Sequence, residues 1–241
     1  MKNPRLAAIF ITAMALGGLA TLTTGTLKMT ALHPYQFLCL LLLGALTSRT
    51  KVKLPGVDSN MSVNLPFLLI AAMQLSLLES VTVALVSAGL QSLPKAGGQL
   101  HPMKVLFNTS TMVVASGAAA ALFHSDRLNA MHYPSTLVLA ASCVLFFCVN
   151  TLPVATIISI TEGGRLSSVW SSIVHLSFPY FVACTGLTSM VTTASQHVGW
   201  QGPLAVLPAM LLMYRSYQTY FGPAGASSSN ATAKALTAAA R

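Results

Sequence analysis

The sequence predicts an all-α fold: a polytopic transmembrane bundle of about eight spans, with the N and C termini both cytoplasmic. Three observations predict it. Hydrophobic residues make up 54% of the 241 and charged residues only 7%, whereas a soluble domain carries about 25% charged residues. Seventeen charges cannot cover the surface of a folded soluble chain of this length, and the mean hydropathy of +0.70 points to lipid as the solvent. The third observation is the distribution of basic residues, which follows once the apolar runs are placed.

The apolar runs are 6–24, 34–47, 62–93, 105–123, 134–160, 173–193 and 203–217. A bilayer core about 30 Å thick takes about 20 helical residues. The 32-residue run 62–93 would form a single helix of about 48 Å at 1.5 Å per residue, too long for one crossing without extreme tilt. Glu79 lies near its middle. A carboxylate is costly at mid-membrane and tolerable at a turn, so this run reads as two short helices, 63–77 and 80–93, with Glu79 at the tip.

Charge bias tests the count. With eight spans and a cytoplasmic N-terminus, Lys2, Arg5, Arg49, Lys51, Lys53, Lys95, Lys104, Arg165, Arg215, Lys234 and Arg241 lie inside, against Lys28 and Arg127 outside, a split of 11 to 2. If run 62–93 crosses once, the split is 6 to 7. The positive-inside rule selects eight. Lys2 and Arg5 before an apolar stretch also fit a signal peptide, but the stretch is long for one and lacks a clear small-x-small cleavage site. The integral membrane domain is therefore read as 1–220. Residues 221–241, opening on Gly222-Pro223-Ala224-Gly225, read as a disordered cytoplasmic tail.

Several classes are excluded by composition. The basic residues form no stripe and are not interleaved with aromatics, so nucleic acid is not expected as a partner. Cys39, Cys143, Cys148 and Cys184 sit singly in apolar runs, as buried thiols do. His124, Asp126 and His132 share the outer loop without the spacing of a metal site, and no metal or other cofactor is expected. With only four acids and no HExxH, GxSxG or Walker signature, the chain is not expected to be an enzyme.

Intramembrane polar residues remain as candidates for ligand binding or coupling. They are Asn108 near the start of the fifth span, Asn150 deep in the sixth, Glu79 at the turn, and His175 at the start of the seventh, with Gln74 and Gln91 flanking the turn. The competing reading for each amide is interhelical glue, worth roughly 0.6–2 kcal/mol. Asn150 stands out because Pro153 frees a carbonyl about four residues earlier. Arg49, Lys51 and Lys53 before Leu54-Pro55-Gly56 form a basic turn suited to anionic headgroups.

Several of these stretches together resemble one family. They are Lys53-Leu54-Pro55-Gly56; Ser62-Val63-Asn64-Leu65-Pro66-Phe67-Leu68-Leu69; Glu79 with Ala84-Leu85-Val86-Ser87 and Gln91; Phe107-Asn108; Asn150-Thr151; Thr161-Glu162-Gly163 with Trp170; and Tyr214-Arg215-Ser216-Tyr217. Over residues 30 to 220 the chain is similar to the MASE-type sensor regions that precede HD-GYP or GGDEF domains in bacterial signalling proteins. The resemblance implies a multi-pass inner-membrane sensory or signalling module of unspecified stimulus. Its partners would be the lipid bilayer and either a cytoplasmic signalling protein or a second copy. Such regions continue into an output domain, whereas after Tyr220 this chain reads as a tail, which implies a separate partner. A looser resemblance, to the substrate-binding membrane subunits of vitamin transporters, implies instead a solute pocket open to the outside.

Overall fold

The computed structural model describes residues 3–27, 33–49, 51–53, 60–62, 64–94, 101–212 and 215. The tail 221–241, the Leu54-Pro55-Gly56 turn, Lys28 and Lys95 lie outside the described residues. The described chain is helical apart from one small β-hairpin. In order it forms α1 (Pro4–Leu27), α2 (Pro34–Ser48), β1 (Lys51–Lys53), β2 (Asn60–Ser62), α3 (Leu65–Gln74), α4 (Leu77–Ser92), α5 (Pro102–Phe123), α6 (Asp126–Ala130), α7 (Ser135–Glu162) and α8 (Leu166–Val198). A 3-10 helix, Gly199–Ala205, then leads into further helix to residue 212.

Among the described residues four helical segments are long and apolar enough to cross a membrane: Pro4–Leu27, Pro102–Leu128, Ser135–Glu162 and Leu166–Ser195. Four shorter apolar helices accompany them: Pro34–Ser48, Leu65–Gln74, Leu77–Ser92 and Gln201–Leu212. The helix starts follow local chemistry. Pro occupies the first or second position of α2, α3 and α5, where its missing N–H costs nothing and its fixed φ is already helical. α7 ends on Gly163 at φ 81°, a left-handed cap that glycine adopts without a Cβ penalty.

The fold is all-α, as expected, with one small addition: after α2 the chain forms a short antiparallel pair, Lys51 opposite Ser62 and Lys53 opposite Asn60. One expectation needs correction: the run 62–93 does divide, but not at Glu79. The chain leaves helical geometry at Leu75 (φ −106°, ψ 163°) and Ser76 (φ −59°, ψ 160°), and Glu79 lies inside the first turn of α4, 3% exposed. The reason is a capping box, Ser76-Leu77-Leu78-Glu79, in which hydroxyl and carboxylate each satisfy a backbone N–H of the other residue.

The core centres on α3. Every residue from Pro66 to Met73 is buried, although at about 15 Å the helix is half the thickness of a bilayer core. Around it stand α2, α4, α5 and α8. Phe146, Phe147, Tyr180, Phe181 and Cys184 of α7 and α8 extend the core to one side, with the Phe147 and Phe181 rings 4.7 Å apart. α1 packs outside, against α5 and α4. Gly18 lies against Ser110, Gly25 against the Leu78 backbone, and Gly117 receives Thr21. Small residues at such contacts let backbones approach in a solvent that provides no hydrophobic drive between helices.

Candidate functional site

At one end of the bundle the break between α3 and α4 gathers the ends of several helices. α2 and α4 both begin there, α3, α5 and α8 end there, and the last turn of α1 reaches it through Gly25. Helix ends carry backbone groups without partners inside the helix, and in an apolar environment each must be satisfied by something else. Glu79 supplies much of that. Its Oε2 accepts from the Ser76 N–H at 3.0 Å and the Ser76 hydroxyl at 2.8 Å. Its Oε1 accepts from the backbone N–H of His33, the N-cap residue of α2, at 3.0 Å.

One carboxylate therefore closes its own helix and holds the start of a second. Both ends it touches are N-terminal, where the helix dipole favours a negative charge. Burying a lone carboxylate costs several kcal/mol unless it is hydrogen-bonded; three donors offset that here. α2 and α4 start side by side and stay in contact further along, with Gly44 against Ser87, so they run parallel; α3 ends at the break while packing alongside α2, α4 and α8, and so runs the other way.

The other polar groups serve the C-terminal end of α3. The His124 imidazole, at the C-cap of α5, lies within hydrogen-bonding reach of the carbonyls of Ala72 and Leu75. Gln74, the last residue of α3, is an amide hub: Gln36 Nε2 of α2 donates to its Oε1, and its Nε2 donates to Ser195 Oγ of α8 at 3.0 Å. Gly202 lies so close to Ser195 that a Cβ there would collide with the hydroxyl. The cluster thus joins α2, α3, α4, α5 and α8.

The other sequence-predicted residues do not join it. Asn108 lies on an exposed face of α5, beside the buried Phe107 and Ser110. Asn150 is half-buried on α7. Its neighbour Thr151 is buried and accepts from Trp170 Nε1 of α8 at 3.2 Å. α7 continues through Pro153 without interruption. His175 is exposed, and it is the tenth residue of α8 rather than its start, because that helix begins at Leu166. Among the described residues neither asparagine side chain makes a hydrogen bond. The reading from sequence weighed His124 only as part of an outer loop and treated Gln74 as a flanking residue. The Ser-x-x-Glu spacing was the available signal for the cap; nothing in the sequence placed His124 beneath α3.

A multi-pass helical membrane domain, built around a buried broken helix pair, is the class of protein this architecture defines. Residues 34–195 match the MASE9 family model, about two thirds of the chain, and the protein belongs to this family of membrane-associated sensor domains. The match is narrower than the resemblance over 30–220. It runs from the first residue of α2 to Ser195, so both limits fall at the polar cluster, and α1 lies outside it. The family and the apolar helices identify a multi-pass protein of the inner membrane, embedded in the lipid bilayer. No curated protein matches the chain, and no solved structure does. The family match lends nothing to the transporter reading.

Proposed function

We propose that the chain is a non-enzymatic sensory module that crosses the membrane eight times, with both ends cytoplasmic, and that its input is the polar cluster at the α3–α4 break. The observation that carries this reading is the double role of Glu79, a buried carboxylate that holds the starts of two helices at once. The direction of the helices supports the topology: α2 and α4 run one way, α3 the other, and the segment Gln201–Leu212 follows α8 through a tight turn. On the 11-to-2 charge split the cluster faces outward. A change there would shift α2 against α4 and α3, and a cytoplasmic signalling element would read the shift. Asn108, Asn150 and His175 are proposed coupling positions, polar groups on exposed or half-buried faces that a neighbouring membrane helix would engage.

The test fuses a cyclase output domain to the C-terminal end and follows its activity across a series of external pH and ionic strength. The expected result is a graded response in wild type that Glu79→Gln flattens without loss of protein from the membrane. An unchanged response curve in Glu79→Gln would sink the reading. Reporter fusions at Glu79 and Lys95 check the topology separately, and the same side for both would remove the eight-span arrangement.

A further inference from the structure

The capping box that starts α4 takes two donors away from the end of α3. In a continuous helix the Ser76 N–H would bond the Ala72 carbonyl, and the Glu79 N–H the Leu75 carbonyl. Here the Ser76 N–H donates to Glu79 Oε2 at 3.0 Å and the Glu79 N–H to Ser76 Oγ at 3.4 Å. Both carbonyls lose their helical partner, which is costly in an apolar environment. These are the same two carbonyls that the His124 imidazole reaches. Glu79 and His124 thus complete the break from its two sides, the carboxylate accepting from N–H groups and the imidazole donating to carbonyls.

The two residues differ in access. Glu79 is buried, whereas His124 is exposed. It is the C-cap residue that follows α5, at the rim of the bundle, where a proton needs no cavity to reach it. Few charges face it. Of the helices packed against α5, α3 carries no titratable group, and α4 brings Glu79, whose oxygens already accept three bonds. Arg5 of α1 is at the far end of that helix, and the first titratable residue of α7 is Cys143, two turns in. His33 caps α2 beyond Glu79. Asp126 and Arg127 of α6 are exposed and opposite in sign, and His132 and Tyr133 beyond them are exposed. Partial burial of the imidazole disfavours its charged form more than the two carbonyls favour it. A charged ring has water at the rim as the alternative, so protonation draws it out from beneath α3 and leaves both carbonyls unpaired.

We infer that His124 is the proton-binding site of the α3–α4 break: its neutral imidazole completes the end of α3, and external acid withdraws it. The sensory meaning of this step rests on the break being the input; the site itself does not. Its sign follows from the neutral form being the one that holds. The contribution to stability is full above the ordinary imidazole range, about pH 6.5, and is lost as pH falls below it.

The experiment follows the thermal unfolding midpoint of the full chain in maltoside micelles from about pH 8 to about pH 5, the range in which imidazole titrates. Wild type is expected to lose stability in acid. His124→Gln keeps an N–H donor but cannot titrate, and its midpoint is expected to fall much less, although the other five of the six histidines remain. Parallel profiles for the two proteins overturn the inference, as does a wild-type midpoint that holds or rises in acid. If the variant cannot be purified, hydrogen exchange of wild type over the same range decides. Protection lost at the ends of α3 and α5 and kept within α7 supports the site; a uniform loss, or none, overturns it. A cyclase fusion whose output ignores external pH, while the midpoint falls as expected, removes the sensory reading and upholds the proton site.

Discussion

α1 and α3 are both apolar helices in one bundle, and they sit at opposite extremes of burial. α1 has 24 residues and buries three of them, Ala7, Gly18 and Gly25; Leu6, Ile9, Leu16 and Leu19 face outward. α3 has ten residues and buries eight in succession. Length and apolarity, which identify a helix able to cross a membrane, thus say little about which helix holds the bundle together. In lipid an outward leucine costs nothing, so a long apolar helix can remain peripheral. A short one cannot, because its ends would place unsatisfied backbone groups inside the hydrocarbon. α3 survives by being enclosed, with its C-terminal end met by His124 and Gln74.

The sharpest way to break this comparison is to remove volume from each helix. Phe67→Ala on α3 empties a site with no exposure and is expected to cost about 3 kcal/mol, the low end of the range for soluble cores, because lipid is as apolar as the pocket that is lost. Ile9→Ala on α1, at a side chain facing outward, is expected to stay within about 0.5 kcal/mol. Equilibrium unfolding in detergent measures both. Equal losses would mean that α3 is not the packing centre.

The break is the next target. Glu79→Ala leaves the Ser76 and His33 N–H groups without the carboxylate that accepts from them. About 2 kcal/mol is expected, from a lost N-cap partner and a stranded buried donor. Glu79→Gln keeps one acceptor oxygen and should lose about half as much. If alanine and glutamine cost the same, charge rather than hydrogen bonding governs the site.

How far the sequence reached divides along the same line. Composition and the charge split led to a multi-pass helical protein, and the length of run 62–93 required it to divide. The position of the division was legible too, in Ser76-Leu77-Leu78-Glu79, but a carboxylate in an apolar run reads more readily as a turn residue than as a buried cap. The burial of α3 was not legible: Pro66 to Met73 and the exposed residues of α1 are equally apolar, and hydropathy records transfer into lipid or into protein in the same way. The contacts of His124 with Ala72 and Leu75 join residues about 50 apart, so local spacing carries no trace of them. Asn108 and His175 were selected as polar residues in apolar runs, and the structure places both on exposed faces.

Peripheral contacts of α1 should show the opposite sensitivity, to added volume rather than removed volume. Gly117 of α5 receives the Thr21 side chain with no room for a Cβ, whereas Gly89 of α4 has nothing within 4 Å of that position. Gly117→Val is expected to cost about 1–2 kcal/mol and to loosen α1, and Gly89→Val much less. Cross-linking between cysteines placed on α1 and α5 reads the first effect directly: its yield should fall in Gly117→Val and hold in Gly89→Val.

The smallest effect expected lies at the contact between α7 and α8, which involves neither α1 nor α3. Trp170 Nε1 donates to Thr151 Oγ1 at 3.2 Å, while the Thr151 hydroxyl itself donates to the Phe147 carbonyl at 2.7 Å. Trp170→Phe removes the indole donor and leaves the threonine satisfied within its own helix, so no buried group is stranded. The expected loss is about 0.6 kcal/mol, the average for an interhelical hydrogen bond in a membrane bundle. Thr151→Val removes both bonds but keeps the side-chain shape, and combined with Trp170→Phe it should add less than it costs alone, since the shared bond is already gone while the bond to Phe147 is lost only with the threonine. A double-mutant cycle in detergent measures that coupling. A loss of about 2 kcal/mol for Trp170→Phe, equal to that expected of Glu79→Ala, would show that the contact between α7 and α8 carries as much of the bundle as the helix break does.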